Sequence, residues 1–198
     1  MKIDEGYLDV PGGKVWYRAV GDNAEATPLL CLHGGPGFTH YYLEPLEALA
    51  DRRRVIFYDQ LGCGRSDRPG DLSLWNVDRF VTELAQVRSA LNLDRLHLFG
   101  SSWGGMLAMQ YVYNTMNGPS EFTVTGTLKT WDIMDRLPEI GVRTLLVGGR
   151  YDECTPGHLE EMHRRIAGSQ LVIIEDASHL CFAEQPEEFN RVINSFMT

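Results

Sequence analysis

Three residues far apart in the chain, Ser102, Asp152 and His179, carry the side chains that acyl transfer needs. A serine hydroxyl is a weak nucleophile at neutral pH and must lose its proton to a base. Histidine can take that proton, and a carboxylate beside it fixes its tautomer and stabilises the imidazolium form. Ser102 sits in Phe99-Gly100-Ser101-Ser102-Trp103-Gly104-Gly105, between Leu96-His97-Leu98-Phe99, which reads as a short buried strand, and a helically spaced set, Met106, Leu107, Met109 and Val112. A strand entering a helix through G-x-S-x-G is a nucleophile elbow, a turn so tight that only small residues fit beside the serine. It raises the hydroxyl above the sheet. It also sets the Trp103 N–H at a helix N-terminus, where unpaired donors and the helix dipole favour an anion.

His179 follows the strand Leu171–Ile174, in Asp176-Ala177-Ser178-His179-Leu180, and Asp152 follows the strand Thr144–Val147, in Gly149-Arg150-Tyr151-Asp152. Singly, each has a plainer reading: a Gly/Ser turn, a loop histidine, an aspartate capping a helix. Together, at successive strand ends and in the order Ser, Asp, His, they read as the triad of the α/β-hydrolases. A fourth piece is His33-Gly34-Gly35-Pro36-Gly37. The tetrahedral intermediate of acyl transfer bears a negative oxygen that preorganised backbone N–H groups stabilise. The expected donors are Gly35 N–H, assisted by Gly34, and Trp103 N–H.

The elements that must hold these groups follow an alternating pattern. Tyr7–Val10 and Lys14–Ala19 read as a hairpin around Pro11-Gly12-Gly13. Leu29–Leu32 and Val55–Tyr58 are uninterrupted apolar runs, as strands buried on both faces should be. Helices are predicted over Tyr41–Ala50, over Val77–Leu91, from Pro156 to Ala167, and from Pro186 with Phe189, Val192, Ile193 and Phe196 inward. Buried strands alternating with amphipathic helices mean an α/β fold with a mostly parallel sheet, whose chemistry sits at the carboxyl ends of the strands.

Composition closes off other classes. The 198 residues, 43% hydrophobic and 23% charged, suit one domain with a real core, 1–198. A net charge of −9 argues against nucleic acid or an anionic membrane as partner. No run is long enough to span a bilayer, and the N-terminus has no apolar signal segment. Cys31, Cys63, Cys154 and Cys181 are scattered, so a reduced, cytoplasmic protein is expected. Nothing in the spacing of the six histidines suggests a metal centre, and no cofactor is called for.

The set HGGPG (33–37), DQLGCGRSD (59–67), GSSWGG (100–105), NGPSEF (117–122), GRYDECTP (149–156) and ASHL (177–180) resembles the proline iminopeptidases and their serine aminopeptidase relatives. The motifs are spread over nearly the whole chain. The resemblance implies an α/β-hydrolase fold and release of an N-terminal residue, proline above all, from short peptides. It also implies that Glu121 and Glu153 bind the substrate's free α-amine, since an ammonium in a partly desolvated pocket needs opposite charge. The loop containing Asp59 reads as structural, bracing a turn behind the site.

The chain departs from that family after the elbow helix. Tyr111–Met116 runs directly into Asn117-Gly118-Pro119, so residues 111–131 stand where a sixth strand and a helical cap are expected, with only Phe122–Leu128 strand-like. Three expectations follow. The Thr144–Val147 strand pairs directly with Leu96–Phe99 or across a dimer. The uncapped apolar face favours self-association. An open site turns over slowly and selects weakly. The competing functions are a general carboxylesterase or amidase with the same triad and an inactive minimal scaffold.

Overall fold

The computed structural model describes residues 1–117 and 132–198. Two compact units divide the chain, Met1–Thr130 and Trp131–Thr198. The first holds a five-stranded sheet in the order β1-β2-β4-β3-β5, built from β1 (Ile3–Val10), β2 (Gly13–Val20), β3 (Leu29–Leu32), β4 (Val55–Tyr58) and β5 (His97–Gly100). The second holds β6 (Leu145–Gly149) paired in parallel with β7 (Gln170–Ile174). β1 and β2 form the expected hairpin, and β2 runs antiparallel to β4. The β3–β4 and β3–β5 pairings are parallel, as helical crossovers require. β6 pairs with β7; direct pairing of Thr144–Val147 with Leu96–Phe99, one of the two arrangements expected, is not among the described pairings.

Every residue of β3 and β4 is buried, which is why both read as unbroken apolar runs. β5 is half-buried along its length rather than buried. In the first unit the helix α1 (Val77–Ala90) turns Val77, Phe80, Val81, Leu84 and Val87 into the core. It starts at Asn76, whose side chain accepts the Arg79 N–H at 2.9 Å. The helix α2 (Trp103–Asn117) follows the elbow. Tyr41–Ala50 is not an α-helix: His40–Leu49 forms a 3-10 helix with Pro45 inside. Proline removes an N–H and clashes with the carbonyl four residues back, so the tighter turn is preferred. Its buried residues, His40, Leu43, Leu46 and Leu49, recur every three positions, the repeat of that tighter turn.

In the second unit α3 (Pro156–Arg165), α4 (Cys181–Glu184) and α5 (Pro186–Met197) accompany β6 and β7. α5 buries Phe189, Val192, Ile193 and Met197. Phe196, expected inward, is half-buried and lies under the Arg143 guanidinium, 4.8 Å from its ring centre.

The Asp59 loop braces the first unit from within. Asp59 is buried and accepts from His40 N and His40 Nδ1, both at 2.9 Å, and from Arg65 N at 2.9 Å. Burial opposes its charge, but the bonds from His40 and Arg65 outweigh that and hold the carboxyl below its ordinary 3.8. A depressed carboxylate contributes stability above its unfolded pKa, and the contribution is lost as pH falls through the folded one. Asp59→Asn is therefore expected to cost about 2–4 kcal/mol at neutral pH, because a donor then faces a donor in the interior. In urea unfolding the gap from wild type should narrow as pH drops below 3.8. A gap independent of pH would show that the charge of Asp59 is not what the loop uses.

Candidate active site

The predicted site residues fall in both units: Ser102, Gly34, Gly35 and Trp103 in the first, Asp152, Glu153 and His179 in the second. In the first, the chain leaves β5, bends at Ser102 and enters α2 at Trp103. Ser102 has φ 53°, a left-handed conformation uncommon for a residue with a side chain, and is exposed between buried Ser101 and Trp103. Two close approaches make this bend possible. A Cβ on Gly100 would lie 2.3 Å from Gly104 O, and one on Gly104 would lie 2.2 Å from Leu32 O. No other residue type fits at either place, which is the physical content of the G-x-S-x-G spacing. As the first residue of α2, Trp103 has an N–H with no acceptor inside the helix.

The 33–37 loop lies directly beside the elbow: a Cβ on Gly34 would be 3.0 Å from Ser102 Cβ. Its anchor is His33, fully buried. Gln60 N–H can only donate, so His33 Nε2 accepts it at 2.9 Å, and His33 Nδ1 must then carry the proton, 2.8 Å from Gly34 O. Burial lowers the His33 pKa and keeps the ring neutral in this role. Gly34 N–H donates to Tyr42 Oη at 2.5 Å. The assisting donor expected at Gly34 is thus committed to the scaffold, and Gly35, the donor expected beside it, stands at φ 119°.

In the second unit the loops after β6 and β7 press together. Tyr151 N donates to Ala177 O at 2.9 Å, and a Cβ on Gly149 would lie 2.3 Å from Ser178 O. That contact brings His179 Nδ1 to 2.9 Å from Asp152 Oδ1. The Asp152 side chain is 8% exposed and that of His179 35%. A carboxylate only accepts, so the proton sits on Nδ1 and Nε2 is left as a base. The same oxygen, Asp152 Oδ1, also accepts Cys154 N at 2.8 Å, a second bond that holds the carboxylate in place.

Sequence reasoning missed Glu184. Its carboxylate accepts Ser178 N at 2.5 Å and Ser178 Oγ at 2.6 Å, which pins the residue next to His179. These hydrogen bonds from Ser178 hold its carboxyl below the ordinary range. The only sequence signal is a serine and a glutamate six residues apart across a short helix, and no periodicity marks such a pair.

A family model described as alpha/beta hydrolase fold matches residues 27–127. The proline iminopeptidase of Heyndrickxia coagulans is 34% identical over 282 aligned positions, covering 98% of this chain and 98% of the relative. The chain belongs to the proline iminopeptidase family of α/β-hydrolases. The Lactobacillus acidophilus proline iminopeptidase is 30% identical, covering 100% of this chain and 99% of that one. The crystal structure of the proline iminopeptidase of Mycobacterium smegmatis matches with a TM-score of 0.87 at 26% identity, over 98% of this chain and 97% of its own.

An alignment of 282 positions exceeds the 198 residues here, so the H. coagulans iminopeptidase has residues without counterparts in this chain. Of the two glutamates that the iminopeptidase resemblance assigns to the substrate amine, Glu121 lies outside the described residues, as does Phe122–Leu128. Glu153 is described. Its side chain is 82% exposed and its carboxylate lies 3.8 Å from His179 Nε2, at the ring nitrogen that Asp152 does not engage. No helix among the described residues is long and apolar enough to cross a membrane.

Proposed function

We propose that this protein releases an N-terminal proline from short peptides through an acyl-enzyme on Ser102, with its two units acting as one α/β-hydrolase domain. Ser102 Oγ attacks the scissile carbonyl carbon and its proton passes to His179 Nε2, while Asp152 steadies the imidazolium. The Gly35 and Trp103 N–H groups hold the oxyanion. His179 then protonates the departing peptide nitrogen as the C–N bond breaks. Water attacks the acyl-enzyme, gives its proton to Nε2, and the returning proton frees Ser102 and proline. No metal or redox group enters these steps.

The observation that carries this reading is the His179–Asp152 bond, 2.9 Å long and made through Nδ1, which leaves the base nitrogen for a nucleophile. The strained Ser102 bend and membership of the iminopeptidase family support it. The position of Glu153 supports recognition of a free amine, because a carboxylate beside Nε2 favours an ammonium on the same side.

Proline p-nitroanilide, its N-acetyl derivative and p-nitrophenyl acetate test the proposal together. Hydrolysis of the first and not of the second is expected. Glu153→Gln should raise KM for the free-amine substrate about 5-fold, the modest effect of a solvent-exposed ion pair, and leave acetate hydrolysis unchanged. Equal rates on free and blocked anilides would make the protein a general esterase or amidase. If fluorophosphonate fails to label the folded protein, no acyl-enzyme chemistry survives.

A further inference from the structure

We propose that Gln60 is a positioning residue for the oxyanion hole, its single carboxamide setting the spacing between the loop that carries Gly35 and the elbow that carries Trp103. The role rests on the acyl-transfer reading above. Gln60 is 1% exposed, and every polar group it has is engaged with this machinery or its own loop. Its Nε2 donates to His33 O at 2.9 Å, and its Oε1 accepts Trp103 Nε1 at 2.8 Å. Its backbone N–H holds His33 Nε2 at 2.9 Å, and its carbonyl accepts Cys63 N at 2.9 Å. Indole N–H only donates and a peptide carbonyl only accepts, so the amide has one possible orientation.

The connection spans 27 residues in one direction and 43 in the other. His33 O lies two residues before Gly35, and the indole belongs to the residue whose own N–H is the second donor. A planar amide has a fixed distance between its nitrogen and oxygen, so the loop and the elbow cannot drift apart while both bonds hold. Oxyanion donors must be placed to within about 0.5 Å to act on a developing charge, and residues behind them provide that tolerance. The indole is fixed on its other side by Phe80, edge-on with ring centres 5.5 Å apart. Tyr42 ties Gly34 N–H down separately, at 2.5 Å, so losing Gln60 loosens the loop without releasing it. Burying an amide here would have no advantage over an apolar side chain if filling space were its only task.

Two variants of the full chain test this. Gln60→Met keeps the volume and removes both bonds; kcat on proline p-nitroanilide is expected to fall about ten- to a hundredfold with KM within about twofold. Gln60→Glu gives a readout that packing alone would not move. When ionised, the introduced carboxyl can accept from Trp103 but repels His33 O; when protonated, it can donate to His33 O as the amide does. The ratio of its kcat to that of wild type should therefore climb as pH falls. His33, His40, Asp59, Cys63, Arg79 and Glu83, the titratable and charged groups around the loop, are present in both proteins, so a slope in that ratio comes from the introduced carboxyl and its coupling to them. The Trp103 indole 15N–1H resonance should shift in Gln60→Met.

A folded Gln60→Met with unchanged kcat, or a Gln60→Glu ratio flat with pH, overturns the positioning role while leaving the triad intact. If Gln60→Met does not fold, the pH ratio within Gln60→Glu still decides. Wild-type protein that neither labels with fluorophosphonate nor cleaves the anilide overturns the acyl-transfer reading and this role with it.

Discussion

Ser102→Ala is expected to lower kcat on proline p-nitroanilide by about 10⁵–10⁶-fold and to abolish fluorophosphonate labelling, with the fold unchanged. The size follows from the nucleophile having no substitute: the buried hydroxyl next to it belongs to Ser101, whose carbonyl and N–H are tied into the turn through Gly104 N at 2.8 Å and Leu32 O at 3.1 Å. Stability separates the chemical role from the structural one. Ser102 is exposed and stands at φ 53°, so its strain comes from the backbone and an alanine inherits it in full. Ser102→Gly removes the Cβ that makes this conformation costly and should raise stability by about 1 kcal/mol while being as inactive as Ser102→Ala. Denaturant melts of the two variants beside wild type, with rates on the same preparations, check both halves. Activity of Ser102→Ala within tenfold of wild type would remove Ser102 from the chemistry. An alanine variant that unfolds would instead make the hydroxyl part of the scaffold.

What could be read from sequence was whatever repeats or clusters locally. β3 and β4 announce themselves because strands buried on both faces need apolar residues at every position. The elbow is legible because its glycines stand at fixed offsets from the serine, and the reason lies in two contacts no Cβ could survive, to Gly104 O and Leu32 O. Asp152 and His179 follow successive parallel strands, so the topology itself brings their loops together. The three-residue repeat of His40, Leu43, Leu46 and Leu49 was present in the sequence too, with Pro45 as the clue that the turn would be tight.

Other features depend on one side chain reaching one distant partner. Tyr42 consumes the Gly34 N–H, Gln60 joins His33 to Trp103, and Glu184 pins Ser178. Each such bond is specific but leaves no periodic trace, because hydrogen-bond geometry constrains where two atoms meet and not which positions in the chain supply them. The same holds for Arg79 and Glu83, an ion pair one turn apart on α1 that sequence spacing would place on a solvated face. Here it is buried, and Glu83 also accepts Leu61 N at 3.2 Å, so an ordinary helical charge pair becomes a brace for the Asp59 loop. Burial pushes the Glu83 carboxyl above its ordinary range, a cost tolerated because Arg79 and Leu61 oppose it.

Asp152→Asn is expected to lower kcat by about 10³–10⁴-fold, the second-largest effect after loss of the nucleophile. In the proposed mechanism the carboxylate has two tasks at His179, and the substitution damages both. It loses the negative charge that stabilises the imidazolium during proton transfer. It also makes the tautomer ambiguous: the amide can place its oxygen toward Nδ1, as Oδ1 stands now at 2.9 Å, or its NH2 group, which forces the ring proton onto Nε2 and removes the base. Cys154 N, 2.8 Å from that same Oδ1, attracts the amide oxygen and favours the productive orientation, so a measurable residual rate is expected rather than none. Fluorophosphonate labelling should slow in parallel, because the proposed mechanism uses the same nitrogen for activation of Ser102 and for peptide cleavage. Stability should change little, since the substitution is isosteric and the backbone bonds between the two loops, such as Tyr151 N to Ala177 O, remain. If kcat stayed within tenfold of wild type, another carboxylate would have to serve the imidazole. Glu153 is the neighbour in reach, but it approaches Nε2 at 3.8 Å and not Nδ1, so serving as the orienting acid would require the ring to turn over and present Nδ1 as the base. Combining Asp152→Asn with Glu153→Gln would expose that arrangement: additive losses keep Asp152 as the orienting acid and Glu153 with the substrate amine, whereas a collapse found only in the double variant would reverse their roles.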